Sequence, residues 1–217
     1  MSRATSSSGL RAAILPVTPF QQNCTLIWDD ASKVGAVVDP GGDVVRIERA
    51  IAQAGIRIEK ILLTHGHIDH AGGAADLKAT LGVGIEGPHE ADQFLLEGLE
   101  AQGDAYGFAA RNVLPDRWLG DGDEVEVAGH HFQIFHCPGH SPGSVVFFNA
   151  AHRFALVGDV LFQGSIGRTD FPYGDHQALL DSIANKLLPL GDDIAFICGH
   201  GPGSTFGAER QSNPFLT

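Results

Sequence analysis

The 217-residue sequence has few sulfur-containing side chains: three cysteines and one methionine. Cys24, Cys137 and Cys198 are odd in number and far apart, which excludes a disulfide framework. No apolar run reaches the roughly 18 residues that a membrane-spanning helix needs. The N-terminus is polar and does not follow the pattern of a signal peptide. We therefore expect a reduced, cytoplasmic protein that is not embedded in a membrane.

Basic residues are also scarce, because Lys and Arg total 14 against 26 Asp and Glu, and the formal net charge is −12. Binding to a nucleic-acid backbone needs a positive face, so the charge argues against a nucleic-acid partner. The 28 glycines and 11 prolines show no G-X-Y period, which excludes a collagen-like chain. Apolar residues make up 43% and charged residues 18%, values that exclude a disordered chain.

Hydrophobic patterning predicts strands in both halves of the chain and helices between them. Strands are predicted over residues 12–17, 24–28, 33–38, 56–63, 124–127, 132–135, 145–148, 154–157 and 194–198. Helices are predicted over 44–54, 70–81, 88–99 and 177–188, with Asp43 and Asp175 as N-caps and Gly55 as a C-cap. This order indicates a layered α/β fold with mixed sheets. We expect one domain over residues 10–217 and a disordered tail over residues 1–9.

A dense group of potential metal ligands follows the predicted strand at 56–63. Residues 64–70 read THGHIDH and hold three imidazoles and one carboxylate, which are ligands of zinc and similar divalent metals. His65 and His67 are two residues apart, so an extended segment places both rings on one side. Asp69 and His70 follow where the chain turns into a helix and can reach the same hollow. A purification tag would be contiguous and terminal, and this cluster is neither.

Three further polar side chains follow other apolar strands. His140 comes after FQIFHC and a proline-glycine break, Asp159 after RFALVG, and His200 after DIAFICG. Functional sites are often built at strand ends on a rigid scaffold. Together with the first cluster there are five histidines and two aspartates, too many for one tetrahedral ion. They suit two divalent ions that share an aspartate or water bridge, hold a hydroxide and attract an electron-rich carbonyl.

These motifs resemble the metallo-β-lactamase superfamily, and within it the glyoxalase II-like hydrolases, especially their short single-domain bacterial group, the YcbL type. The similarity runs over nearly the whole chain from Ile14. It is carried by ILPVTPFQQNC, VVDPGGD, ILLTHGHIDHAGG, PDRWL, HCPGHSPGSVVFF, GDVLF, GRTDFPYGDH and CGHGPGS. The superfamily motif is specific for a metal site and says little about substrate. PDRWL and GRTDFPYGDH point to the subgroup.

The resemblance implies a four-layer αββα sandwich with two mixed sheets and a site at one edge. It implies two divalent metal ions, with zinc expected and iron or manganese as alternatives. The implied ligands are His65, His67 and His140 for the first ion, Asp69, His70 and His200 for the second, and Asp159 with a hydroxide as the bridge. The implied reaction is the hydrolysis of small-molecule thioesters such as S-lactoylglutathione, in which the bridging hydroxide attacks the carbonyl and Asp69 orients it.

Substrate contacts are expected from the GRTDFPYGDH segment, through Arg168, Phe171 and Tyr173. Arg168 either binds a substrate carboxylate or forms a structural pair with Asp170. The chain ends soon after His200, so we expect it to lack the C-terminal helical domain that helps full-length glyoxalase II hold glutathione. Hydrolysis should then depend only weakly on the glutathione part.

Other functions and roles stay open at this point. A persulfide dioxygenase with a single iron shares the GRTDF motif, a lactonase or β-lactamase would keep the metals, and a non-enzymatic metal module would have closed coordination. Asp39 either hydrogen-bonds a ligand histidine or holds the DPGG turn. The cysteines are expected to be packing residues. We expect six histidines to be non-ligands, namely His89, His130, His131, His136, His152 and His176. The sequence leaves the oligomeric state open.

Overall fold

A computed structural model describes residues 9–216. The predicted disordered tail lies outside the described residues except for Gly9, whose carbonyl oxygen accepts the backbone N–H of Asp30. The assignment of residues 10–217 to one domain stays a prediction. Among the described residues, no helix combines the length and the apolar character that a bilayer span requires.

The first sheet has five strands in the order of the sequence, β1 to β5. They are β1 (Leu10–Val17), β2 (Gln22–Asp29), β3 (Val34–Val38), β4 (Arg57–Leu62) and β5 (Gly84–Glu86). The first three strands pair antiparallel, whereas β3, β4 and β5 pair parallel. The sheet is therefore mixed, as the sequence predicts. Its two parallel connections contain the helices α1 (Val44–Ala54), α2 (Ile68–Ala71) and α3 (Ala74–Leu81).

The second sheet has six strands in the order β13-β12-β9-β8-β7-β6. They are β6 (Glu124–Val127), β7 (His130–His136), β8 (Val145–Asn149), β9 (Phe154–Gly158), β12 (Ala195–Cys198) and β13 (Ser204–Thr205); β10 (Leu161–Phe162) and β11 (Ser165–Ile166) form a separate hairpin. β8 is antiparallel to β7 and β9, and β12 is parallel to β9. β7, β9 and β12 consequently run in one direction, and their carboxyl ends meet at one edge.

Three apolar clusters define four layers. The cluster between the sheets contains Ile27 and Phe147, while their neighbours Leu26 and Phe148 belong to the two outer clusters. Successive residues of a strand point to opposite faces, so the uninterrupted apolar runs of β2 and β8 fill the cores on both sides of each sheet. The helices α1, α3 and α5 (Leu99–Tyr106) cover the first sheet, and α6 (His176–Ser182) and α7 (Phe206–Ser212) cover the second.

Helix α1 has the predicted bounds and ends at Gly55, whose φ of 63° is the left-handed conformation that favours glycine. The predicted side-chain cap at its start is wrong. Asp43 makes no capping hydrogen bond, and its carboxylate accepts the backbone N–H of Thr18 at 2.8 Å instead. The side chain thus ties the helix start to the β1–β2 turn, a contact that local sequence does not reveal.

The other helix predictions needed correction. The helix expected over 70–81 is split into α2 and α3 at Gly72 and Gly73. Glycine is needed at both positions because a Cβ atom would crowd the backbone of the 40–42 turn, and glycine is a poor helix former. The helix expected over 88–99 is a 3-10 turn followed by α4 (Gln93–Leu96), and α5 was missed. In the last predicted helix Asp175 does cap α6, which passes into a π-helical turn at Ile183–Leu187.

Candidate metal centre

Four strands deliver the predicted ligand side chains to one edge of the molecule. His140, Asp159 and His200 follow the carboxyl ends of β7, β9 and β12, and His65 follows the end of β4 in the other sheet. Because the three strands of the second sheet run in the same direction, their C-terminal loops share this edge. The structure thus places these four side chains just after strand ends, as the sequence predicts.

Backbone contacts hold the two sheets together beside the cluster. The N–H of Val145 donates to Thr64 O at 2.8 Å, and the N–H of Asn23 donates to Gly199 O at 2.7 Å. A Cβ atom at Gly199 would overlap the carboxylate of Asp159. Glycine is therefore required at this position, because a larger residue would push the loop away from the carboxylate.

Three imidazoles converge in the first group. His65 Nε2 lies 3.1 Å from His67 Nδ1, and His140 Nε2 lies 2.9 Å from the same atom. A ring nitrogen of neutral histidine either donates or accepts one hydrogen bond, so His67 Nδ1 cannot satisfy both neighbours. One zinc ion bound at about 2.0–2.1 Å by all three would set the nitrogens about 3.3 Å apart. The spacing therefore fits a shared cation.

The second group contains Asp69, His70 and His200. Asp69 Oδ2 lies 3.0 Å from His200 Nε2 and 3.8 Å from His70 Nε2. His70 Nε2 and Asp159 Oδ1 are both buried and make no hydrogen bond, although they are only 3.2 Å apart. Buried polar atoms are rarely left without a partner. A metal ion would satisfy both of these atoms, so the residues present fit one.

Asp159 lies between the two groups. Its Oδ2 is 3.6 Å from His140 Nε2 in the first group and 3.6 Å from His200 Nε2 in the second. Burial alone would raise the pKa of this carboxyl, but the neighbouring His70 holds the pKa below its usual range. The side chain is therefore an anion placed where it can contact two cations at once.

The pKa values of His65, His67 and His70 are shifted in different directions. Burial, with a contribution from His140, lowers the pKa of His67 to about 3, and burial likewise lowers the pKa of His65. Both rings are therefore neutral near pH 7, as a metal ligand must be. Burial also disfavours charge on His70, but Asp159 and other carboxylates raise its pKa well above the usual value. Metal binding at His70 must displace this proton.

In each of the five histidines, the ring nitrogen that does not face the cluster forms a hydrogen bond with a neighbouring group. The partners are Thr64 Oγ1 for His65 at 3.1 Å, Tyr173 OH for His67 at 2.8 Å, Asp39 Oδ2 for His70 at 2.9 Å, Arg168 O for His140 at 2.8 Å and Phe20 O for His200 at 3.2 Å. Such contacts fix the tautomer and the ring orientation of metal-binding histidines. They leave Nδ1 of His67 and Nε2 of the other four facing inward.

Asp39 connects two of the candidate ligands through hydrogen bonds. Besides His70, its carboxylate accepts the backbone N–H of Thr64 at 2.7 Å and the hydroxyl of Thr64 at 2.6 Å. Thr64 Oγ1 in turn accepts from His65 Nδ1. Of the two roles that the sequence left open for Asp39, the structure shows the hydrogen bond to a candidate ligand.

Asp92 was missed by the sequence analysis and occupies a comparable position. It is fully buried, and its carboxylate accepts the N–H of Gly66, the N–H of Gly143 and the hydroxyl of Ser141 at 2.8, 2.6 and 2.7 Å. Burial raises the pKa of this carboxyl, while the three hydrogen bonds act in the opposite direction. Asp92 thereby joins the loop that carries His65 and His67 to the loop that carries His140.

Replacing Asp92 by asparagine should weaken metal binding. An amide NH₂ group in place of either oxygen would face N–H or O–H donors that now bind the carboxylate. Changes to residues that support metal ligands cost about 10–100-fold in affinity or activity, and we expect a loss in that range. Metal content after equilibrium dialysis measures it, with circular dichroism to check folding. Asp104→Asn, a change at an exposed acid of α5, is the control, and equal metal affinity in both variants would contradict the assigned role.

A cavity of about 850 Å³ opens above the two groups. Five of the candidate ligands reach its floor, namely His67, Asp69, His140, Asp159 and His200. Its walls include Arg168, Phe171 and Tyr173, the three residues expected to contact substrate. Cavities of about 300–1,000 Å³ are typical of small-molecule sites. A small molecule in this cavity would therefore contact the candidate ligands.

The Arg168 guanidinium makes two hydrogen bonds of 2.7 Å, one to each carboxylate oxygen of Asp170, and lies over the ring of Phe171 at 4.6 Å. The structural pair is therefore formed. Phe171 stacks on Tyr173 with ring centres 5.3 Å apart. Burial raises the pKa of Tyr173 to about 12, so its hydroxyl keeps its proton near pH 7.

The remaining histidines and the cysteines lie outside the ligand groups of the described residues. The six histidines concerned are His89, His130, His131, His136, His152 and His176. All three cysteines are free and buried. Burial raises the pKa of Cys137 to about 12 and that of Cys198 to about 11, so both remain thiols at neutral pH. These values suit packing residues and not nucleophiles.

The fold and the site define a class of protein. The sequence profile of the metallo-beta-lactamase superfamily matches residues 17–200 of the chain. The chain belongs to this superfamily. The predicted α/β sandwich with mixed sheets is confirmed, and the His and Asp groups of the site could hold the divalent metals that this fold binds.

Individual relatives make the classification finer. The chain is 50% identical over 205 residues to the hydroxyacylglutathione hydrolase GloC of Haemophilus influenzae, which covers 94% of this chain and 96% of that protein. The crystal structure of the BLEG-1 B3 metallo-beta-lactamase matches with a TM-score of 0.88 at 36% identity, over 95% of this chain and all of that one. TTHA1623 in a di-iron-bound form matches with a TM-score of 0.84 at 36% identity, over 94% and 100%. The predicted glyoxalase II-like classification is confirmed.

Proposed function

We propose that the chain hydrolyses thioesters such as S-lactoylglutathione with two divalent metal ions. His65, His67 and His140 would hold one ion, and Asp69, His70 and His200 the other, with Asp159 between them. The observation that carries the proposal is the position of Asp159 Oδ2, at 3.6 Å from a histidine nitrogen of each group. The 50% identity to a hydroxyacylglutathione hydrolase supports the substrate class.

Zinc is the first choice of metal, with iron or manganese as alternatives. The proposed ligands are imidazole nitrogens and carboxylate oxygens, which suit several late first-row divalent ions. The related TTHA1623 was crystallised in a di-iron-bound form, which keeps iron among the candidates. Bound ions of this kind lower the pKa of a water molecule to near neutrality and polarise a carbonyl group.

Some of the proposed ligands are buried beneath the cavity and others line it. His65 and His70 are fully buried and hold the floor of the site in place. Asp69, His140 and His200 reach the cavity, where a thioester carbonyl would lie. We assign to the Asp69 carboxylate the role of orienting the attacking water and receiving its proton. In this arrangement the water approaches from the floor and the thioester from the open side.

The leaving group needs little help from the protein. As the new C–O bond forms, the C–S bond breaks and sulfur leaves with the electron pair. Thiols have a pKa near 8.5, so a thiolate departs without a dedicated proton donor. This matches a cavity whose walls present two phenols, an amide, a hydroxyl, the guanidinium of Arg168 and apolar groups around the two ligand groups.

A panel of substrates tests the proposal on protein of measured metal content. The panel contains S-lactoylglutathione, a second thioester, a lactone, a β-lactam and glutathione persulfide with an oxygen electrode. The β-lactam is included because the BLEG-1 structure is described as a metallo-beta-lactamase. We expect metal-dependent release of thiol from both thioesters at rates above those of the other substrates.

Other outcomes would replace the proposal by its alternatives. Oxygen consumption with the persulfide and one iron per chain would identify a persulfide dioxygenase. Preferred turnover of the lactone would identify a lactonase. Metal binding without turnover of any substrate would favour a non-enzymatic metal module. A cytoplasmic location is part of the proposal and is supported by the three free cysteines, since reducing compartments keep thiols unpaired.

Arg168→Ala tests whether this side chain recognises the carboxylates of glutathione. The guanidinium is already paired with Asp170, and both side chains are more than half exposed. Exposed ion pairs contribute about 0–1 kcal/mol, so we expect a small change in stability and less than about a twofold change in KM for S-lactoylglutathione. Arg111→Ala, which removes another exposed Arg–Asp pair, is the matched control. A KM increase of tenfold in Arg168→Ala alone would assign the arginine to the substrate.

A further inference from the structure

The cavity above the candidate metal centre has mostly apolar and aromatic walls. One wall comes from the first half of the chain and includes Phe20, Leu95 and Tyr106. Another part of the wall comes from the hairpin β10–β11 and the loop after it, and includes Phe162 and Phe171. The ring of Phe171 is 4.9 Å from that of His67, so aromatic surface begins directly beside the proposed ligands.

Aromatic side chains continue outward to the rim. Phe20 and Tyr106 meet edge to face with ring centres 5.5 Å apart, and Phe94 meets Tyr173 at 5.2 Å. Phe20, Phe94 and Tyr106 are 41%, 48% and 60% exposed, although each is large and apolar. Exposed apolar surface that is contiguous with a cavity marks a binding region, because a ligand removes it from water.

The side chains of the cavity walls offer little positive charge to an anionic ligand. Among the described residues that line it, Arg168 is the single lysine or arginine, and its Nε and Nη2 already donate to the two carboxylate oxygens of Asp170. The chain carries a formal net charge of −12, which repels anions at long range. Glutathione brings two carboxylates and one ammonium group. Apart from the proposed metal ions, the cavity offers its carboxylates only the guanidinium of Arg168, which is already paired. The walls therefore suit the uncharged part of a substrate.

We infer that the cavity selects thioesters that carry an uncharged aromatic group, in preference to the glutathione conjugate of a small hydroxy acid. The inference rests on the proposed thioester hydrolysis and names the class of substrate for that same site. The rings of Phe20, Tyr106 and Phe171 would enclose the aromatic group. Offset and edge-to-face contacts between rings stabilise such a complex beyond the burial of apolar area.

Four substrates separate the contributions of ring and charge. The reference is lactoyl-N-acetylcysteamine, which is small and uncharged. The aromatic ring is added to the acyl side in 3-phenyllactoyl-N-acetylcysteamine and to the thiol side in the lactoyl thioester of benzyl mercaptan. S-lactoylglutathione adds the charged tripeptide in place of a ring. We expect at least one aromatic substrate to exceed the reference tenfold in kcat/KM, and to exceed S-lactoylglutathione as well.

Variants locate the effect in the aromatic walls. Tyr106→Ala and Phe20→Ala should each reduce the advantage of the aromatic substrate at least threefold, with kcat/KM for the reference changed less. The Phe20 change retains the backbone carbonyl that holds His200. Phe215→Ala removes a ring that is 48% exposed and lies outside the cavity, and it should leave the ratio unchanged. Metal content is measured in every variant.

Calorimetry adds a readout that does not require turnover. The thioether S-benzyl-N-acetylcysteamine should bind at least tenfold more tightly than its S-methyl counterpart, and Tyr106→Ala should reduce this ratio. Equal affinities of the two thioethers, together with equal kcat/KM for ring-bearing and reference thioesters, would overturn the inference. A hundredfold preference for S-lactoylglutathione would also overturn it. In both cases thioester hydrolysis itself would stand, whereas failure to hydrolyse any of the four thioesters would overturn the proposed function.

Discussion

Replacement of His67 by alanine is expected to lower kcat/KM for a thioester by about 10³-fold or more and to weaken metal binding. His67 Nδ1 is the atom that both His65 Nε2 and His140 Nε2 approach, so its removal leaves the first group with two nitrogens. Carbonyl polarisation by a metal ion contributes several kcal/mol, and each 1.36 kcal/mol corresponds to tenfold in rate. Steady-state kinetics and elemental analysis measure the two losses.

His131→Ala is the matched control for this change. His131 lies on β7, the strand that precedes His140, yet its side chain is 59% exposed and contacts Glu124. We expect wild-type turnover and metal content in this variant. Equal losses of turnover and metal content in the two alanine variants would show that position in the site does not separate ligand histidines from other histidines. Wild-type activity in His67→Ala would remove His67 from the proposed ligand set.

Asp159→Asn is expected to reduce the number of bound ions from two to one and to lower kcat/KM by at least about 10²–10³-fold, the range seen when one electrostatic contact of a transition state is removed. The side chain keeps its shape but loses its negative charge, and its NH₂ group can face only one of the two groups. The carboxylate is needed because Oδ2 is equidistant from His140 Nε2 and His200 Nε2.

Asp193→Asn provides the comparison for Asp159. Asp193 is 67% exposed and pairs with Arg153, and neither residue lines the cavity, so this variant should keep two ions and full turnover. Thermal denaturation of both variants separates loss of metal from loss of fold. Two ions and unchanged turnover in Asp159→Asn would contradict the shared-carboxylate arrangement.

The strands and the grouping of the candidate ligands were predictable because both depend on local patterns. Apolar runs such as those of β8 and β9 are buried on both faces and predict strands with little ambiguity. His140, Asp159 and His200 each follow such a run, and the parallel direction of β7, β9 and β12 brings their ends together. Strand-end position plus residue type was therefore enough to nominate all seven side chains.

Residues that act through contacts distant in sequence were harder to predict. Asp92 joins loops around Gly66 and Gly143, and nothing near residue 92 signals those partners. The same holds for Asp43, whose carboxylate bonds Thr18 instead of its own helix. Helix α5 was missed because its sequence has a weak apolar periodicity and contains Gly103. With it, the rim position of Tyr106 over the cavity was missed as well.

The aromatic walls of the cavity combine residues from widely separated parts of the chain. Phe20 lies in the β1–β2 turn, Tyr106 at the end of α5 and Phe171 in the loop after β11. The sequence analysis selected Phe171 and Tyr173 from one motif but had no means of placing Phe20 in the same cavity. Substrate preference is consequently a property that required the tertiary structure.

Turnover measured against bound metal tests the central claim most directly. Metal-free protein is loaded with increasing amounts of zinc, and thioester hydrolysis is compared with the number of ions bound per chain by elemental analysis. Because the two groups share Asp159, we expect activity to rise until about two ions are bound per chain. We expect His67→Ala protein to stay below this activity at any zinc concentration. Full activity at one ion per chain, or hydrolysis that is independent of metal content, would contradict the account.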